Sequence, residues 1–155
     1  MKICFFSAKY LPTVGGVERY TYNLAKRLVR EGHEVFVVTS CLKGLPARER
    51  DGEGIEIFRL PVYHLMNDRF PFIKPCMEFK ELARELWQEN IDLCVINNHF
   101  YSSSVWAACA CAKRGVPALL IGHATQYLMT GNPILSLAGR LYEHACAAIV
   151  KRKVK

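Results

Sequence analysis

The chain has 155 residues, 51% hydrophobic and 23% charged, which is the size of one ordinary domain with a sizeable core and excludes a disordered chain. Its net charge of +7 shrinks once located, because Lys151, Arg152, Lys153 and Lys155 carry four of those charges and leave +3 elsewhere. No stretch approaches the ~20 apolar residues of a bilayer span, and the apolar run "ICFFSA", ended by Lys9, is too short for a signal-peptide core.

In chain order, "KICFFS" (2–7) predicts a short buried strand. "VERYTYNLAKRLVREG" (17–32) places Val17, Tyr20, Leu24 and Leu28 at helical spacing, with Lys26, Arg27 and Arg30 opposite and Gly32 as a stop. "HEVFVVTS" (33–40) is β-branched and nearly continuous in hydrophobicity, as in a strand buried on both faces. A polar, glycine-bearing connection leads to the alternating strand "IEIFRL" (55–60), and Pro61, Pro71 and Pro75 predict an irregular loop through 62–75. A helix over 76–90 turns Phe79, Leu82, Leu86 and Trp87 inward, and "IDLCVINN" (91–98) is another buried strand. A helix over 102–115 takes Ser102 or Ser103 as its cap, 116–122 is a strand, 132–147 a helix with Pro133 in its first turn, and "AAIV" (147–150) a sixth strand.

Continuous apolar strands alternating with amphipathic helices imply a single α/β domain over 1–155, a doubly wound, mainly parallel sheet of Rossmann type. Its ligands bind at the carboxyl ends of the strands, where the loops bearing Gly15, His99 and His123 converge. The seven cysteines lack any C-x-x-C pair, and most sit in apolar elements as small core hydrophobes. No spacing of His, Cys, Asp or Glu suggests zinc, and the candidate metal set is empty.

Gly15 and Gly16 stand between the first strand and the first helix, where backbone N–H groups and the helix dipole favour an anion. Paired glycines there call for a positive φ or a close approach to the backbone. The loop is neither G-x-G-x-x-G nor G-K-[ST], so dinucleotide and nucleoside-triphosphate loops are disfavoured. Glu18 either complements the helix N-terminus or touches a ligand. His123 and His99, beyond two strand ends with Asn97, Asn98 and Thr125 nearby, make a polar lip unlike a core. His33 follows a helix exit, where its imidazole can serve the last carbonyls. Glu81 and Glu89 are about 80° out of helical register and belong to a charged outer face.

The run Pro12-x-x-Gly15-Gly16-x-Glu18, the following "LAKRLVREGHEVFVVT", "IDLCVINNH", "KRGVPALLIGH" and "GNPILSLAGRLYEHA" together resemble the start of the retaining glycosyltransferases of family four. Those enzymes have the two-domain GT-B architecture. The resemblance implies an N-terminal, acceptor-side half, with Gly15 and Gly16 offering backbone N–H groups to the diphosphate of a nucleotide-sugar donor and His123 facing the transferred sugar as the catalytic candidate. Tyr10, Glu18 and His99 are its acceptor-side candidates. It implies no metal and no cofactor beyond the nucleotide-diphosphate sugar, and an acceptor that is a glycan or is lipid-linked. Members of the family continue into a donor-binding domain, so the resemblance predicts a chain cut before that domain or completed by a separate donor-binding chain, and inactive alone. The alternative is a non-catalytic binding or membrane-recruitment subunit, using the basic tail and "FPFIKP" on anionic lipid. Both readings place the protein in the cytoplasm, the second at the inner face of the membrane, and neither involves nucleic acid.

Overall fold

The structure is a computed structural model and describes residues 1–65, 70–123 and 133–154. Among these, eight strands and four helices follow in the order β1 (Lys2–Phe6), α1 (Gly16–Arg30), β2 (Glu34–Ser40), β3 (Arg48–Arg50), β4 (Glu56–Leu60), β5 (Val62–Leu65), β6 (Phe70–Ile73), α2 (Met77–Gln88), β7 (Leu93–Asn97), α3 (Ser102–Arg114), β8 (Ala118–Ile121) and α4 (Pro133–Lys153).

Six strands form one sheet in the order β3-β4-β2-β1-β7-β8. All its pairings are parallel except that of the short edge strand β3 with β4. β1 and β2 lie in the interior and bury both faces, which is why their sequences read as unbroken apolar runs. One face carries Ile3, Phe5, Val35 and Val37 and is covered by α1 through Ala25, with Leu24 and Leu28 against it. The other face carries Phe6, Phe36, Val38 and Phe58, covered by Leu82 and Leu86 of α2, Ala107, Ala108 and Cys111 of α3, and Val150 of α4. The expected doubly wound α/β architecture is therefore present. Gly115 closes α3 at φ 69° and Gly32 follows α1 at φ 86°, left-handed positions where a side chain would be strained.

Several expectations need correction. Residues 62–65 and 70–73 are not irregular: they pair as an antiparallel two-stranded ribbon, β5 with β6. Pro71 sits opposite His64 in that ribbon, an edge arrangement that a proline tolerates. "AAIV" is not a sixth strand but the continuation of α4, with Val150 buried in the core. Its apolar run is short, and packing against α3 supplies the burial that a sheet position was expected to give. Tyr101, not a serine, precedes α3, and it makes no side-chain cap. Ser102 instead fixes the ribbon, its hydroxyl accepting from Ile73 N at 3.0 Å and donating to Pro71 O at 3.2 Å. On α1 the buried residues are Glu18, Thr21 and Ala25, and Leu24 and Leu28 pack against the core as expected, while Tyr20 is 40% exposed. His33 faces the chain's first amino group, 3.4 Å from its Nδ1, rather than the helix carbonyls.

The cysteine reading holds for Cys4, Cys94, Cys111 and Cys146, which are buried thiols, whereas Cys109 is exposed. Among the described residues no group of three or more His, Cys, Asp or Glu side chains could hold a metal ion, and no helix is long and apolar enough to cross a membrane.

Candidate functional site

From the central pair β1 and β7, the chain leaves in opposite directions: after β1 to α1 on one face, after β7 to α3 on the other. Such a divergence opens a crevice beyond the strand ends, the place where open α/β sheets bind ligands. Four short segments meet there: the glycine turn, the first turns of α1, the end of β7 and the end of β8.

A chain of hydrogen bonds ties them together. Thr21 donates its hydroxyl proton to Val17 O, 2.8 Å away. With that proton committed, the oxygen accepts from Asn97 Nδ2 at 2.9 Å. This orients the amide, leaving Asn97 Oδ1 to face His123 Nε2 at 2.9 Å. An amide oxygen only accepts, so Nε2 carries the proton and Nδ1 is the ring's lone-pair nitrogen. Burial holds the His123 imidazole below its usual range, so it is neutral near pH 7. The ring can therefore accept a hydrogen bond or a proton at Nδ1, and it brings no positive charge to the crevice. Tyr20 meets its edge, with ring centroids 4.9 Å apart.

The backbone of His123 is fixed as well. Asn98 adopts φ 62°, a left-handed conformation that asparagine tolerates. Its N–H continues the ladder to Ile121 O, and its side-chain Oδ1 accepts from His123 N, both at 2.8 Å. His123 is thus held by two consecutive asparagines.

The glycine turn shows that the two glycines do different things. Gly15 is extended at φ −152°, not left-handed, and the end of the Glu18 side chain lies in the space a Cβ would take, so a side chain at 15 would make that carboxylate move aside. Glu18 is buried in the third position of α1, where a carboxylate folds back over the helix N-terminus and complements its dipole. Gly16 is exposed and a Cβ on it would touch nothing. Gly16 is accordingly the glycine whose backbone lies open to an approaching group, and Gly15 is the one that admits Glu18.

The remaining candidates separate. Tyr10 is 1% exposed, packed among Phe5, Val37 and Ile57. His99 stacks edge-on to Phe100 at 5.5 Å, burial lowers its pKa, and the charges acting on it are Glu143, Lys151 and His144 of α4. It faces α4, outside the His123 network. Thr125 lies outside the described residues. Sequence reasoning missed Thr21 and Tyr20 as site residues, although a polar Thr21 on the inward face of an amphipathic helix is a legible signal.

These features define an open, mainly parallel α/β domain of Rossmann type, with a glycine turn and a neutral, doubly anchored imidazole at its switch-point crevice. A sequence profile of Glycosyltransferase Family 4 matches residues 14–152, and the chain belongs to that family. It is 25% identical over 125 residues to the alpha-monoglucosyldiacylglycerol synthase of Acholeplasma laidlawii, a match covering 81% of this chain and 30% of that protein. It is also 31% identical over 65 residues to one subunit of the Homo sapiens phosphatidylinositol N-acetylglucosaminyltransferase, covering 42% of this chain and 13% of that one. The fold matches sucrose-phosphate synthase from Thermosynechococcus elongatus with a TM-score of 0.60 at 14% identity, over 94% of this chain and 39% of the other. The chain spans less than a third of the length of the two sequence relatives, and its fold is one Rossmann-like half of the GT-B architecture.

Proposed function

We propose that this chain is the acceptor-side half of a retaining glycosyltransferase that moves a sugar from a nucleotide-diphosphate donor to a lipid-linked or glycan acceptor. The observation that carries this is the Thr21–Asn97–His123 chain of hydrogen bonds, which holds a neutral imidazole beside the glycine turn in the switch-point crevice. The names of the two sequence relatives favour a lipid acceptor. Gly16 lends its backbone to the donor diphosphate, and His123 uses Nδ1 to accept from a hydroxyl of the transferred sugar. Retention leaves the acceptor proton to the departing diphosphate, so the protein's part is positioning and charge stabilisation. One wall of a cleft does not exclude water, so the chain alone binds nucleotide-sugars weakly and turns over little. Calorimetry with uridine and guanosine diphosphate sugars, with a turnover assay on the pure chain, tests this. Robust turnover by the chain alone overturns the half-site reading, and wild-type rates for His123→Ala in a complete parent enzyme remove His123 from the site.

A second reading, recruitment to an anionic membrane in the cytoplasm, is favoured by one observation. An open groove of about 460 Å³ between α2 and α3 presents Trp87 and Trp106 together with Lys80, Arg84 and Arg114, a pairing of aromatic and cationic groups suited to a headgroup layer. The exposed Lys151, Arg152 and Lys153 at the end of α4 add charge. "FPFIKP" does not serve this reading as expected, because Phe70 and Pro71 are buried in the β5–β6 ribbon. Pelleting with phosphatidylglycerol vesicles, compared with phosphatidylcholine, tests it; equal pelleting with both sinks it.

A further inference from the structure

The glycine turn carries an anion of its own. Gly15 immediately precedes α1 and offers it no side-chain cap. The first N–H groups of a helix have no intrahelical partner, and an oxygen on the side chain of the preceding residue ordinarily serves them. Here the place where that side chain would begin is filled by Oε2 of Glu18. The carboxylate thus takes the position of the missing capping group.

Position holds that carboxylate there, and no bond does. Glu18 is 9% exposed, yet among the described residues it makes no hydrogen bond and no ion pair. A charge so far removed from water normally finds a donor or a counter-ion. Its oxygens are not sealed in, because neither belongs to the enclosed polar atoms that lack a partner. The group is the far end of a flexible side chain, free to swing outward. Beside it Gly16 leaves the start of the helix uncovered. An unbonded negative charge at a helix N-terminus occupies a place that a stronger anion can take.

Exchange decides which anions succeed. A singly charged group that displaces Glu18 puts one negative charge where another stood, and gains nothing from the helix dipole. A phosphoryl group brings more than one charge and several acceptor oxygens to the same backbone N–H groups. It therefore profits from the exchange where a carboxylate or a halide does not. We propose that Glu18 is a displaceable internal anion that sets the charge threshold of the glycine turn, so that a multiply charged phosphoryl group docks by pushing the carboxylate aside. Glu18 is then a specificity residue acting through occupancy of the helix end. Identifying the docking group with the donor diphosphate rests on the glycosyltransferase reading above.

The test is a titration of the isotope-labelled chain with inorganic pyrophosphate and with acetate, followed through backbone amide shifts. In wild type, pyrophosphate is expected to give saturable shifts at residues 15–19, and acetate none. Glu18→Gln and Glu18→Ala each remove the competing charge and tighten pyrophosphate about twofold to fivefold, the worth of one carboxylate at a helix end. Their thermal midpoints are expected to be no higher than that of wild type. Tighter binding without a gain in stability is a result that a merely structural Glu18 does not produce. Glu31→Gln makes the same change of net charge at the other end of α1 and is expected to bind as wild type does. The proposal is overturned if pyrophosphate saturates neither wild type nor the Glu18 variants, or if both variants bind it no better than wild type. Equal tightening in Glu31→Gln, or saturation of wild type by acetate, also overturns it. Should one Glu18 variant fold poorly, the other decides. The two readings fail separately: tighter pyrophosphate in the Glu18 variants of a chain whose complete enzyme consumes no nucleotide-sugar keeps the displacement and removes the donor.

Discussion

Nε2 of His123 lies 2.9 Å from Oδ1 of Asn97, and the direction of that bond is decided two residues away, where Thr21 has already given its proton to Val17 O. Thr21→Val removes the oxygen that orients the Asn97 amide, so both amide orientations become available and the ring loses its single tautomer. Asn97→Asp puts a carboxylate against Nε2 and favours the imidazolium, raising the His123 pKa. Imidazole nitrogen shifts by NMR are expected to show one Nε2–H tautomer in wild type, a mixture in Thr21→Val and a higher titration midpoint in Asn97→Asp. A wild-type ring protonated at Nδ1 would break this account.

His123 and His99 are both held below the usual histidine value of 6.5, in each case mainly by burial. The folded state thus binds fewer protons than the unfolded state once pH falls through 6.5. Stability from these groups is complete above that value and declines below it, until the folded-state values are also passed. The thermal midpoint is expected to fall between pH 7 and pH 5, and to fall less in His123→Gln. An equal decline in wild type and variant would show that His123 contributes nothing to the linkage.

The sheet was legible because its physics is local and repetitive: β1, β2 and β7 are continuous apolar runs, and glycines stop α1 and α3 at φ values few other residues tolerate. The β5–β6 ribbon was not, because Pro61, Pro71 and Pro75 announce irregularity while the stabilising partner, Ser102, lies 29 residues beyond Ile73. The ends of the strands announced His123 and Asn97, but a hydrogen bond between residues 76 apart, such as Asn97 to Thr21, leaves no periodic trace. Of the two reasons expected for Gly15, a positive φ or a close approach to the backbone, the structure shows the second, the approaching group being the Glu18 carboxylate.

Ser102 ties α3 to the ribbon through its hydroxyl, which accepts from Ile73 N and donates to Pro71 O. Ser102→Ala strands a backbone N–H and a carbonyl in a partly buried site, at a cost of about 1 to 3 kcal/mol. Urea unfolding is the measurement, with a lower midpoint at unchanged slope as the expected result. A change below about 0.5 kcal/mol would mean that water replaces both bonds.

The two glycines give the sharpest separation of folding from function. Gly15→Ala puts a methyl where the Glu18 carboxylate lies, and because that is the far end of a flexible side chain the carboxylate swings aside, at a cost of about 0.3 to 1 kcal/mol, the interaction with the helix dipole that it gives up. Glu18→Ala forfeits about 0.3 to 1 kcal/mol of interaction with the helix dipole, but it also clears the space. The double variant loses that interaction only once, so it should be more stable than the sum of the single changes predicts, with a coupling of up to about 1 kcal/mol. Gly16→Ala meets nothing within 4 Å and replaces glycine by a better helix former at the first position of α1, so stability should hold or rise by up to about 1 kcal/mol. The same methyl stands over the backbone proposed to receive the donor diphosphate, so donor binding should weaken in Gly16→Ala while the fold is unharmed. Chemical denaturation of the four variants, with nucleotide-sugar calorimetry on Gly16→Ala, checks both halves. Strict additivity of the Gly15 and Glu18 changes would mean that the carboxylate keeps its place at the helix end despite the methyl, and an undiminished affinity in Gly16→Ala would move the diphosphate elsewhere.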